Sequence, residues 1–320
     1  MRGARRRKGE QTVVPDAEFT SYYGRRVLNI PAWKPGNIAG YFFLGGLAGA
    51  GSVLAAGAHL TGRPVMARSL KISSTAAVAG SAAALIHDLG RPSRFANMLR
   101  VIKPTSPMSV GSWLLAAYGP LAGAAALSDV TGRLPRAGTA ATTGAALLGP
   151  GVAAYTAVLA ADTAVPAWHD ARRELPFVFT GSAAAAASGM ALLAAPVREN
   201  APARAAAVFG AALETAAARH MERRLGVVAE TYRKGRAGRL MRAAETLTAA
   251  GALGAAALSR SRPAATLSGL TLLTASACTR LAVFHAGIAS AEDPKYTVVP
   301  QRERLDARAA EPEGARSAGS

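Results

Sequence analysis

The sequence predicts an all-α integral membrane protein, a bundle of about eight transmembrane helices in two four-helix halves. Hydrophobic residues make up 50% of the 320 residues, and only 18% are charged. A soluble amphipathic helix needs a polar face, so charges should recur every three or four residues. Four windows long enough to span a bilayer instead contain no Asp, Glu, Lys or Arg. These windows are residues 37–62, 104–128, 137–161 and 175–197.

Four weaker segments complete the predicted bundle, at residues 70–86, 205–218, 243–259 and 264–286. The sixth and seventh spans in chain order are the least apolar. Glu214 interrupts the sixth, and Arg239, Arg242 and Glu245 lie at the start of the seventh. The alternative is therefore six spans with two interfacial helices. Small residues at Gly45 and Gly49, and in the run GSAAAAASG from Gly181, favour close helix packing in lipid.

Charge placement divides the chain into a basic N-terminal tail (1–34), a transmembrane domain (35–290) and a C-terminal tail (291–320) that we expect to be disordered. The N-terminal tail has no apolar core of a signal peptide. The formal net charge of +18 comes from basic residues in tails and connectors, so membrane topology explains it better than nucleic-acid binding. The positive-inside rule then places the basic side, with both termini, in the cytoplasm.

The single cysteine, Cys278, excludes a disulfide framework, a protein-bound iron–sulfur cluster and covalently attached haem within this chain. Any metal redox centre must therefore come from a partner. Motifs for hydrolytic metal, nucleotide and acyl-enzyme chemistry do not occur in the sequence.

Polar residues concentrate in one membrane half, on the basic side. Ionisable groups in membranes are costly and tend to face a cavity or one another, so their concentration predicts a polar pocket. Taken singly, each has a structural interpretation as well: Arg280 could pair with Glu214, Asp162 or Glu245, and a histidine at a helix end could be interfacial. The set consists of Asn37, Tyr41, His87, Asp162, His169, Glu214, His220, Glu245, Arg280 and His285.

Quinone chemistry fits this pocket better than haem. The histidines lie too close to helix ends to face each other at matched depth in a bundle. A quinol that loses two electrons also loses two protons, so its site needs hydrogen-bonding groups near headgroup depth. Carboxylates and imidazoles there can pass protons to water.

Several segments of the sequence resemble the NrfD/polysulfide reductase membrane-subunit family. The most specific is HDLGRPSRFANMLRVIKPTSPMSVGSW from His87, which joins spans two and three. SYYGRRVLNIPAWKPGNIAGYFFLGGLAG around span one, YTAVLAADTAVPAWHDARRELPFVF from Tyr155 and the acidic Glu214 agree with it. The likeness covers Ser21 to about Ala289.

The resemblance implies a membrane subunit without bound metal that exchanges electrons between menaquinone and a ferredoxin-like 4Fe–4S subunit. That subunit would in turn serve a molybdopterin-type catalytic subunit. By the same resemblance, the quinone-binding candidates are Asn37, Tyr41, His87, Asp88 and Tyr155, with His169 and Trp168 of the next connector as weaker additions. The catalytic candidates are His87, Asp88 and Asp162.

One departure concerns the first span, where some family members place a histidine near the quinone. Here no histidine occurs in that span before His59, and Tyr41 is the candidate to take its hydrogen bond. The expected function is a quinone-reactive membrane anchor subunit of a respiratory oxidoreductase. The alternatives are a purely structural anchor of a redox complex and, less favoured because no internal repeat is visible, a secondary transporter.

Overall fold

The computed structural model describes residues 28, 29, 31, 35–88, 97–100 and 102–310, excluding the side chains of 88 and 307–310. Within this part of the chain all regular structure is helical, which confirms the predicted all-α class. The helices are α1 (Pro35–Leu60), α2 (Pro64–Asp88), α3 (Pro107–Thr131), α4 (Pro135–Ala161), α5 (Pro166–His169), α6 (Leu175–Ala194), α7 (Ala201–Arg224), α8 (Glu230–Arg233), α9 (Gly235–Ala257), α10 (Arg262–Glu292) and α11 (Lys295–Ala310).

Proline sets where most of the long helices begin. It is the first residue of α1, α2, α3 and α4, and it occupies the second position of α6, α7 and α10. Proline lacks the backbone N–H that the first helical turn leaves unpaired, and its fixed φ suits a helix start. At the other end of α3, Gly132 ends the helix in the left-handed region, with φ 67°.

The eight long helices form two four-helix halves. Helices α1 to α4 pack together in the first half, and α6, α7, α9 and α10 form the second. Helix α6 packs on α1 and α4, and α10 packs on α1, so these contacts join the halves. We call the end of the bundle that holds the first turn of α1 and the last turns of α2, α4, α7 and α10 the basic end.

Six of the long helices are apolar enough to cross a membrane by length and composition, within the described residues: α1, α2, α3, α4, α6 and α10. The two weak spans of the sequence correspond to α7 and α9, which are equally long but more highly charged. In α7 the charges lie near the ends or, for Glu214, in the interior, whereas α9 carries the exposed Glu245 near its middle. Exposed residues between positions 205 and 216 of α7 are all Ala, Val or Phe.

Helix α7 also runs alongside α6 over most of its length. Gly181 and Gly210 meet midway, and at the basic end Arg224 bonds Glu174, which directly precedes α6. An apolar outer face and this antiparallel course favour eight spans, a count that stays a prediction.

Glycines allow helix backbones to touch at three places. A Cβ added to Gly49 would lie 2.3 Å from the carbonyl oxygen of Gly149, which joins α1 to α4. The same reciprocal contact occurs between Gly181 and Gly210, and between Gly189 and Gly269. Of the predicted packing positions, Gly49, Gly181 and Gly189 therefore form direct backbone contacts.

Helical structure covers most of residues 291–310, in the segment expected to be a disordered C-terminal tail. Helix α10 continues to Glu292, and α11 follows after a short break. The start of α11 is held to the bundle, because Lys295 bonds Glu230 at 3.2 Å and Tyr296 is buried. Residues 311–320 and nearly all of the N-terminal tail lie outside the described residues.

A polar network lies at the opposite end of the first half. The buried Lys71 ammonium donates to Asp129 at 2.9 Å, and its Nζ lies 3.4 Å from Nδ1 of His59. The other ring nitrogen of His59 lies 3.1 Å from the Thr139 hydroxyl. This places His59 apart from the other four histidines, as the sequence predicted.

We predict that Gly49→Ala destabilises the protein by about 1–3 kcal/mol, because the added methyl group forces α1 and α4 apart. Gly57→Ala in the same helix is the matched control, since nothing lies within 4 Å of the added Cβ. Thermal unfolding in a mild detergent measures both variants. Equal stabilities for the two would show that the backbone contact is not a close one.

Cysteine labelling tests the span count. In a Cys278→Ser background, Lys234→Cys and Arg198→Cys should react with a membrane-impermeant maleimide from opposite sides of the membrane. Eight spans require this result because α7 then separates the two positions. Labelling from the same side would mean that α7 and α9 lie at the interface, as in the six-span alternative.

Candidate functional site

A pocket opens at the basic end of the first half, between α1, α2, α3 and α4. Its volume is about 110 Å³, and its walls are mainly apolar. Three polar side chains border it: Tyr41 from α1, Ser112 from α3 and Tyr155 from α4. Antiparallel packing explains why residues so distant in sequence meet, since α1 and α3 begin at the end where α2 and α4 finish.

Tyr41 brings an unpaired hydroxyl into the pocket. The residue is 1% exposed, and its hydroxyl oxygen has no hydrogen-bond partner among the described residues. The amide nitrogen of Asn37, one turn earlier on the same helix face, is likewise buried without a described partner. Buried polar atoms are normally paired, so these two groups retain the capacity to bind a ligand.

Tyr155 faces Tyr41 from α4 and rests on Gly111. A Cβ on Gly111 would lie 1.7 Å from the Tyr155 ring, so only glycine leaves room for it. Asp162 lies two turns after Tyr155, at the C-terminal cap of α4, where it is exposed. Asp162 therefore lies at the exposed rim on the same helix that carries Tyr155.

The other candidates lie at the rim or outside the pocket. His87 is exposed in the last turn of α2, two residues beyond the pocket residue Leu85. Asp88 ends α2, and its side chain lies outside the described residues. His169 is exposed at the end of α5 and does not line the pocket. Trp168 is fully buried and donates to the Val283 carbonyl at 2.7 Å, so its role is packing.

Sequence reasoning missed much of the pocket wall. Ser112, Met98 and Met108 lie within the connector from His87 to Trp113 that carries the family likeness. They are uncharged, so the charge pattern of the connector does not mark them as pocket residues. Ser112 is buried and donates to the Met108 carbonyl, which leaves its oxygen free to accept. Phe42 packs beside Tyr41, with ring centroids 5.8 Å apart.

A second polar cluster occupies the interior of the second half. Glu214 accepts hydrogen bonds from Thr279 at 2.6 Å and from Thr248 at 3.4 Å. Arg280 is fully buried, donates to the Phe179 carbonyl at 2.8 Å and stacks on the Phe179 ring. Of the three acids considered as its partner, Glu214 belongs to this cluster, because it binds Thr279, the residue directly before Arg280.

The two polar groups are adjacent but distinct. Phe42 of the pocket packs on Phe179, with ring centroids 5.6 Å apart. The guanidinium of Arg280 stacks on the Phe179 ring of this pair. The one-sided set of the sequence therefore divides between a mainly apolar pocket in the first half and a buried network in the second. Among the described residues, no group of three or more His, Cys, Asp or Glu is placed to hold a metal ion.

Comparison with protein families gives one match that bears on this site. The family described as "Polysulphide reductase, NrfD" matches residues 32–209, more than half of the chain. That range includes all four helices around the pocket and extends into α7. Comparison with the curated proteins gave no match.

Proposed function

This chain belongs to the NrfD polysulphide reductase family, and we propose that it exchanges electrons between menaquinone in the bilayer and a partner iron–sulfur subunit. It is a multi-pass membrane subunit of a redox complex. The finer proposal places the quinone headgroup in the pocket between α1 and α4. The observation that carries it is the buried, unpaired hydroxyl of Tyr41 in an otherwise apolar pocket at one end of the bundle.

The pocket fits the chemistry of a quinone. A quinone headgroup is a flat apolar ring with a carbonyl oxygen on each of two opposite edges. Ile38, Phe42 and Leu115 offer apolar contact to such a ring, while the hydroxyls of Tyr41 and Tyr155 can donate to its oxygens. The amide of Asn37 is available one helical turn from Tyr41.

When bound, menaquinol supplies two electrons and two protons, or menaquinone accepts them. Tyr41 and Tyr155 hold the oxygens to which these protons are bound. Asp162, at the exposed end of α4 two turns after Tyr155, exchanges protons with water. His87 and Asp88, at the end of α2, are proposed as a parallel exit on the same rim. His169 lies outside the pocket and has no role in this mechanism.

Electrons must leave through another protein. A chain with one cysteine cannot supply the thiolates of an iron–sulfur cluster, so the acceptor belongs to a docked subunit, which would serve a molybdopterin-type catalytic subunit. The basic end is the proposed docking side because it lies nearest the pocket. The positive-inside rule makes this end cytoplasmic in our proposal.

Tyr41→Phe and Tyr155→Phe should each weaken quinone binding by about tenfold, since each removes one hydrogen bond from a desolvated site. Quinol-linked electron transfer in the purified complex, measured as KM and kcat for a soluble menaquinol analogue, reports the effect. His87→Ala and Asp88→Asn should lower kcat more than they raise KM, because they act on proton exit.

Two glycines of α3 provide a matched pair for the same assay. Gly111→Ala displaces the Tyr155 ring and should behave like Tyr155→Phe, whereas Gly119→Ala has open space around the new methyl and should behave like wild type. Wild-type kinetics in all of the tyrosine and Gly111 variants would reject this pocket. A purified complex without quinone or quinol-linked activity would instead favour the purely structural anchor.

A further inference from the structure

A groove lies outside the quinone pocket, between the start of α6 and the C-terminal half of α7. Its volume is about 390 Å³. Its deeper part is apolar, formed by Phe177 of α6 and by Leu213, Ala216 and Ala217 of α7. The Phe177 ring is 57% exposed although α6 is one of the helices apolar enough to span the membrane. The groove therefore opens toward lipid.

The groove runs along the direction of the membrane normal. Leu213 precedes Arg224, the last residue of α7, by eleven positions, which corresponds to about 16 Å of helix. Alanines between these residues leave the channel open. The end of the groove at Arg224 thus lies at headgroup depth, and the end at Leu213 lies at the depth of the acyl chains.

The upper rim is basic. Arg224 donates to both carboxylate oxygens of Glu174, at 2.5 and 2.6 Å. Partial burial works to raise the pKa of Glu174, but the bonds and charge of Arg224 outweigh it and hold the pKa below its ordinary value. Arg224 and Glu174 therefore neutralise each other.

Two cationic or protonatable side chains remain at this rim. Arg173 is exposed and forms no ion pair within the part of the chain that the structure describes. His220 is also exposed, and its Nε2 lies 3.8 Å from a Glu174 oxygen that Arg224 already occupies. The exposed Arg172, Arg219 and Arg223 are nearby in the sequence and add positive charge to this end of α6 and α7.

We propose that this groove binds an anionic phospholipid. The phosphate would lie between Arg173 and His220, and one acyl chain would follow Phe177, Ala216 and Leu213 into the bilayer. Charge complementarity selects the headgroup, because the basic rim attracts anionic lipid. The apolar depth selects a lipid over a soluble acidic protein, whose residues would remain above the headgroups.

Native mass spectrometry of the purified complex in mild detergent tests the proposal. Phosphatidylglycerol and phosphatidylcholine with identical acyl chains are added in turn. Wild type should bind phosphatidylglycerol about tenfold more tightly, because both lipids carry the phosphate but only phosphatidylcholine adds a choline cation, which the basic rim repels. The double variant Arg173→Ala/His220→Ala should lose that preference. Ala216→Phe, which fills the groove without altering charge, should weaken the binding of both lipids.

The control is Arg136→Ala/Arg198→Ala, which removes exposed basic residues from the opposite end of the bundle. It should keep the wild-type preference. Equal loss of preference in this control would overturn the proposal, because binding would then reflect net charge alone. So would a groove variant that keeps its phosphatidylglycerol but loses a co-purifying subunit, since the rim would then dock a protein.

Discussion

Contact between helix backbones is the constraint on which this structure depends. Lipid tails are as apolar as the side chains of a membrane helix, so burial of apolar surface gives little drive for helices to associate. Close packing must supply it, and glycine makes close packing possible. Gly49 meets Gly149 between α1 and α4, and Gly181 meets Gly210 between α6 and α7. Gly189 and Gly269 add a third contact, between α6 and α10.

These contacts position the functional groups. The close approach of α1 and α4 at Gly49 fixes their separation in the middle of the bundle. Toward the basic end the helices carry larger side chains, Tyr41 and Tyr155, and the pocket forms between them. Gly111 of α3 also helps to form the pocket, because the absence of a side chain there leaves room for the Tyr155 ring. A frame of packed helices thus holds two phenols across a cavity.

Much of the fold follows from the sequence because lipid imposes one-dimensional rules. Charge-free windows of bilayer length predict helices, and prolines mark where they begin. All eight predicted segments overlap long helices. The helical segment 295–310 was not predicted, since its polar composition resembles that of a disordered tail. What holds its start in place is the pairing of Lys295 with Glu230, 65 residues away in sequence.

The site was harder to predict. Sequence reasoning identified Tyr41, Tyr155 and Asp162 through the family likeness, and the structure places the two tyrosines in one pocket with Asp162 at the nearby rim. It also grouped His169 with them, although the turn at α5 directs that residue outward. The order of the spans predicts on which side of the membrane a residue lies. It does not predict where around the bundle the residue's helix packs. For the same reason the sequence could not separate the buried Glu214 network from the pocket.

Photolabelling of the purified complex with an azido-quinone tests the central claim most directly. The label reacts with whatever lies beside the bound headgroup, and mass spectrometry of the peptides identifies it. A quinone in the proposed pocket should label α1, α3 and α4 near Tyr41, Ser112 and Tyr155, and an excess of menaquinol should compete with the label. Competable labelling confined to α7, α9 or α10 would place the quinone in the second half and contradict the assignment.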